Sequence, residues 1–140
     1  MSNKSLEWSD KFSTDIVSID HQHQELLFLS QNLLSVLSDL SVSLTDKQTA
    51  FQNLVEHTVA HFTYEERIMR NIGYPALIRH TKEHNDLREE MSSMTETVMR
   101  GEGIEDWKGL VSLVQVWVLR HIVSSDTQFR EYIQRADDDT

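Results

Sequence analysis

The chain has 140 residues, a formal charge of −10 and no cysteine. The length suits one domain with a core of its own, and the missing thiols exclude disulfides, zinc fingers, iron–sulfur clusters and thiol catalysis. The acidic balance argues against nucleic acid, whose phosphates require a basic surface.

One proline and four glycines leave room for few turns, which favours long helices. The first twelve residues place no apolar run behind their lysines and do not read as a signal peptide. Residues 1–19 carry Leu6, Trp8, Phe12, Ile16, Val17 and Ile19 without sustained helical period, so an ordered arm packed across the rest is expected. From Asp20 to Leu40 the spacing of Leu26, Leu27, Leu33, Leu34 and Leu37 predicts a first helix. Thr45 with Gln48 three residues later fits a capping box, opening a second helix that lasts to Asn71 and is stopped by Gly73. Pro75 suits the first turn of a third helix reaching Arg100. Gly101 and Gly103 interrupt the chain again before a fourth helix from Glu105 to Gln134, and an acidic tail over 136–140 is expected to fray. The longest apolar stretch, Leu110 to Leu119, is broken by Ser112 and Gln115 and is too short for a bilayer. A soluble, cytoplasmic protein is expected, with no membrane partner.

Four long helices with short links predict an all-α, up-down-up-down antiparallel bundle over residues 20–135. In that topology the starts of the first and third helices lie beside the ends of the second and fourth. His23, the pair His61/Glu65, the pair His80/His84 and the pair His121/Asp126 therefore fall at one level of the bundle. Groups four apart on a helix are separated by about 40° and roughly 6 Å along the axis, so both reach one metal or a metal pair. His121 and Asp126 are five apart, opening the angle to about 140°, which suits a carboxylate bridging two ions better than two ligands to one.

Five imidazoles and two carboxylates are too many for one zinc, whose sites use three or four protein ligands. Two six-coordinate ions accommodate them and keep a position open, once bridging carboxylates and a hydroxide or oxide are counted. Imidazole with carboxylate suits iron, with manganese and zinc left open by ligand type. The sequence has no Glu-x-x-His, the motif of carboxylate-rich di-iron bundles. A histidine-rich site with fewer anions supports high-valent iron poorly and favours binding oxygen over splitting it.

Taken singly, each of these residues has a bland explanation. A lone helical histidine is usually surface or core, and the pair His80/His84 alone decides little; the shared level of four segments carries the argument. His21 has no partner at helical spacing, and His57, one turn before His61, is read as no ligand. Glu66, Glu89 and Glu90 read as solvated helix surface, Met69, Met91, Met94 and Met99 as core filler, and the tryptophans as core anchors. Trp117, one turn before His121, is placed to wall the open position. No phosphate-binding glycine loop and no Ser/His/Asp arrangement is visible.

The run His61-Phe-Thr-Tyr-Glu65-Glu66-Arg-Ile-Met69, then Gly73-Tyr-Pro75 and His80-x3-His84, resembles the hemerythrin signature. So do Ile19-Asp20-His21-Gln22-His23 ahead of it, Trp117-x3-His121-Ile122-x3-Asp126 behind it, and the N-terminal Trp8. The resemblance spans residues 6 to 132. It implies two iron ions (Fe2+/Fe3+) with an oxo or hydroxo bridge, binding molecular oxygen reversibly. His80, His84 and His121 would hold one iron, and His23 and His61 the other, which keeps the open position. Glu65 and Asp126 would bridge both, and Leu27, Phe62, Trp117 and Ile122 would form a dry wall. In the Asp-x-Gln-His element the aligned histidine is His23, leaving His21 at the variable place. His57 stands where bacterial members often carry tyrosine, and a titratable group there could speed autoxidation or admit an exogenous ligand.

The expected role is oxygen carriage, storage or delivery rather than catalysis; the oligomeric state is left open by the sequence, with a monomer favoured. The alternatives are an oxygen- or redox-sensing input domain of a larger signalling protein, of chemotaxis-receptor or diguanylate-cyclase type, and a di-iron peroxidase, oxidase or nitric-oxide-handling enzyme. A structural zinc or mixed-metal bundle ranks last. The acidic tail fits a natural terminus and a cut linker equally.

Overall fold

The computed structural model describes residues 13–14, 16–101, 103, 107–122 and 127–138. Helices α1 (Val17–Ser38), α2 (Leu44–Asn71), α3 (Leu77–Met99), α4 (Trp107–His121) and α5 (Thr127–Asp138) account for nearly all of them, and no strand occurs among the described residues. Helix α1 packs on α2 and α4, and α3 packs on α2 and α4, closing an antiparallel four-helix bundle. No described helix is long and apolar enough to cross a membrane.

Each helix buries one stripe. On α1 the inward residues are Ile19, His23, Leu26, Leu27, Ser30, Leu33 and Leu37, at helical spacings of mostly three and four. On α2 they include Phe51, Leu54, Thr58, His61, Phe62, Glu65 and Met69. The histidines and Glu65 are grouped at one level of these stripes. A large apolar cluster contains Leu26, Leu33, Phe51, Leu54, Trp107 and Ile122. A smaller one holds Ile19, Met69, Tyr74 and Phe129. His23 lies between Ile19 and Leu26 on α1, and His61 and Glu65 lie between Leu54 and Met69 on α2. The histidine-rich layer is thus enclosed by apolar packing above and below.

Several boundaries differ from the sequence reading. Helix α1 begins at Val17, because the Asp20 carboxylate in its first turn accepts from Thr14 N at 2.7 Å, Thr14 Oγ1 at 2.8 Å and Ser13 Oγ at 2.6 Å. The same bonds fix the entry to α1, one turn before His23. The cap of α2 is Ser43, whose Oγ accepts from Asp46 N at 3.1 Å; Thr45 is inside the helix. Ser43→Ala is expected to cost about 1 kcal/mol of stability, read as a lower midpoint in urea at unchanged slope.

Pro75 lies in the turn before α3 rather than in its first turn, since Leu77 N bonds back to Tyr74 O at 3.2 Å and helix begins only there. Gly73 ends α2 as read, at a φ of 71°, where a side chain would be strained. The fourth predicted helix is described as two, α4 and α5, with residues 123–126 outside the described part. Among the methionines, Met69, Met91 and Met94 fill the core, whereas Met99 is 44% exposed, beyond the reach of the apolar cluster.

Candidate metal centre

Four helices deliver one histidine or pair each to the enclosed layer. His23 comes from α1, His61 and Glu65 from α2, His80 and His84 from α3, and His121 from the last turn of α4, and all six are buried. Asp126, the seventh residue expected here, lies outside the described residues. Helical spacing of four brings His61 and Glu65 to one face, and does the same for His80 and His84.

Glu65 stands at the centre, fully sealed from solvent. Its Oε1 is 2.5 Å from His80 Nε2, 3.3 Å from His84 Nε2 and 3.3 Å from His121 Nε2. Its Oε2 is 3.1 Å from His61 Nε2 and 3.4 Å from His23 Nε2. The two carboxylate oxygens therefore divide the imidazoles into a group of three and a group of two. In each group, with Glu65 included, the candidate donor atoms lie within 4.8 Å of one another.

This donor set fits cations. The Nε2 atoms of His23 and His61 are 2.9 Å apart, as are those of His84 and His121. Two nitrogens bound at about 2.1 Å lie about 3.0 Å apart at a right angle and about 3.4 Å apart at a tetrahedral one, so the spacing matches neighbouring octahedral positions. His84 Nδ1–H donates to Glu66 Oε2 at 2.8 Å. Burial holds the His84 imidazole below its ordinary pKa and so favours the neutral ring. Its Nε2 then carries a lone pair facing Glu65 Oε1, acceptor against acceptor. A cation between them turns that repulsion into two bonds.

Around the layer, outer groups hold the rings. His61 Nδ1 donates to Gln22 Oε1 at 2.7 Å. Arg88 Nη2 donates to Glu66 Oε2 at 2.7 Å, and its guanidinium lies 5.5 Å over the Phe62 ring. Phe62 stacks on His84 with centroids 4.1 Å apart. Of the expected dry wall, Leu27, Phe62 and Ile122 are buried, with Phe62 in ring contact with the layer; the side chain of Trp117 lies outside the described part. His21 is exposed. His57 is also at the surface, its Nδ1 on Asn53 O and its Nε2 3.5 Å from Glu25.

The sequence reading missed Glu66, which it placed on the solvated surface; the residue is only 12% exposed in its side chain and is tied to His84 and Arg88. Adjacent residues on a helix point about 100° apart, so Glu65 and Glu66 do not share a direction. No pattern within α2 announces that a histidine on α3 awaits the second carboxylate.

Burial alone would raise the Glu65 pKa, but the charge of His61 and hydrogen bonds from His121, His23 and His61 outweigh it and hold the carboxyl well below its ordinary value. The depressed Glu65 and depressed His84 act in the same direction. In both cases the unfolded chain takes up a proton at a pH where the folded chain does not. Their contribution is complete above about pH 6.5 and is lost on acidification, first through His84 and then through Glu65. The metal-free chain is expected to melt progressively lower between pH 7.5 and pH 4, as followed by far-UV circular dichroism; a midpoint that rises on acidification would contradict this.

Residues 14–133 match the model of the hemerythrin HHE cation-binding domain. The chain belongs to the hemerythrin family. Relatives agree along most of its length. A bacteriohemerythrin of Stenotrophomonas maltophilia is 26% identical over 134 residues, covering 92% of this chain and 82% of its own. One from Pseudomonas paraeruginosa is 28% identical, covering 94% and 83%. One from Clostridium acetobutylicum is 27% identical over 128 residues, covering 90% and 97%. The buried His/Glu layer has the composition of a cation site.

Proposed function

We propose that the chain binds two iron ions and uses them to bind molecular oxygen reversibly. The observation that carries this reading is the division of five imidazoles by the two oxygens of Glu65. His80, His84 and His121 would hold one ion and His23 and His61 the other, with Glu65 bridging them. Asp126 is assigned as the second bridge from its place in the sequence alone. With only two histidines to hold it, the ion on the His23/His61 side would have room for an exogenous ligand.

When bound, the iron pair supplies the two electrons that oxygen takes up and later gives back. The residues do the rest. Gln22 and Glu66 accept the outer protons of His61 and His84 and so fix both rings with Nε2 directed inward. Glu65 offsets cationic charge in a layer closed to water. Leu27, Phe62 and Ile122 deny water and acids access from the apolar side, which limits proton leakage and loss of reduced oxygen.

Anaerobic loading with ferrous iron, exposure to air and removal of oxygen, with visible spectra at each stage, test the reading. Two irons per chain and a charge-transfer band that appears in air and disappears on deoxygenation are expected. Irreversible bleaching to a diferric spectrum with peroxide release, or sustained turnover of peroxide with a reductant, would instead favour a redox sensor or an enzyme.

A further inference from the structure

Outer hydrogen-bond partners on the two sides of the layer differ in charge. On the three-histidine side, His84 Nδ1–H is bonded to a carboxylate, Glu66, at 2.8 Å. A second carboxylate, Glu83, stands 3.8 Å from His121 Nδ1. On the two-histidine side, His61 Nδ1–H is bonded to a neutral amide, Gln22, at 2.7 Å. Glu25 on that side faces the exposed His57. Arg88 holds Glu66 in place and offsets part of its charge.

We infer that Glu66 and Gln22 are positioning residues that make the two metal sites redox-inequivalent, with the three-histidine site the more easily oxidised. This rests on the di-iron reading above. An imidazole that donates its outer N–H to a carboxylate carries more electron density on its inner nitrogen than one that donates to an amide. Loss of an electron adds one positive charge to the ion, and an anion one ring away stabilises that charge in a poorly solvated layer. In an iron-loaded chain, the ion that His80, His84 and His121 would hold would therefore be the first to lose an electron, ahead of the one that His23 and His61 would hold.

The test is an anaerobic potentiometric titration of the iron-loaded chain, with dithionite as reductant, ferricyanide as oxidant and electron paramagnetic resonance to follow the singly oxidised state. Its comproportionation constant measures the gap between the two one-electron potentials. Glu66→Gln makes both outer groups neutral, and Gln22→Glu makes both anionic. Each is expected to lower that constant about tenfold, a narrowing of about 59 mV. The mean potential should rise in the first variant and fall in the second. Arg88→Met, which leaves Glu66 without its guanidinium, should widen the gap; with Gln22→Glu it carries the test if Glu66→Gln fails to fold.

Gaps unchanged in the variants, or mean potentials moving the same way in Glu66→Gln and Gln22→Glu, would overturn the inference. A general loosening of the site has no reason to produce opposite signs. Iron content, measured separately by elemental analysis, tells the two failures apart. An unsubstituted chain that does not hold two irons defeats the di-iron reading and this inference together. Two irons throughout with unaltered gaps defeats the inference alone.

Discussion

Glu65→Ala is expected to reduce bound iron from two ions per chain to one or none, with affinity for the pair lowered at least about 100-fold. Every imidazole of the layer lies within 3.4 Å of a Glu65 oxygen. On the proposed reading, loss of this one side chain would remove a donor from both groups and the negative charge that two cations would share. Replacing a residue that only hydrogen-bonds a metal-binding side chain typically costs ten- to a hundredfold, so losing a group that would touch both ions should cost more. Glu65→Gln separates charge from volume, because the amide keeps the packing and one acceptor. It should lose iron almost as completely, with less effect on the fold. Elemental analysis after anaerobic loading reads the result, and two irons retained in either variant would remove Glu65 from its central place.

Stripping the metal should lower the melting temperature by roughly 10 °C or more relative to the iron-loaded chain. The histidines of α1, α2, α3 and α4 converge only when the bundle is closed, so ions held by them would bind the folded state and hardly the unfolded one. At a thousandfold excess over the dissociation constant, linkage supplies about 4 kcal/mol. In a chain of this size each kcal/mol moves the midpoint by a few degrees. The shift should grow with the logarithm of free iron, and calorimetry under nitrogen at several iron concentrations checks it. A melting temperature insensitive to iron in a chain that nevertheless binds it would place the ions away from the helix-spanning layer.

The acid lability of the metal-free chain belongs to the same account. The site layer contains Glu65 and five histidines where Leu, Val and Phe would pack more stably. Bound ions would compensate what the fold gives up there, as the apolar clusters on either side do for the chain as a whole.

Much of this was legible in one dimension. Helical period and scarce turn residues specify a four-helix bundle. The pairs His61/Glu65 and His80/His84 lie on one face because four residues span little more than one helical turn. Antiparallel connectivity then brings His23 and His121 to the same level. Local competition defeated the finer reading: Ser43 and Thr45 both have a cap's chemistry, and the donor geometry at Asp46 selects Ser43. Likewise, Pro75 is compatible with a turn or a first helical position, and the bond from Leu77 to Tyr74 decides for the turn.

What the sequence determined by itself was the main inward stripe of each helix, since that depends on a period of 3.6 residues; Met99 and Glu66, at the edges of their stripes, were misjudged. Tertiary structure decided which groups meet across helices. It put Oε1 and Oε2 of one carboxylate against different histidine sets, and it set Glu66 behind His84 but Gln22 behind His61. Those pairings join residues 18 and 39 positions apart. They follow from the rotation and axial offset of one packed helix against its neighbour, quantities that no single helix encodes.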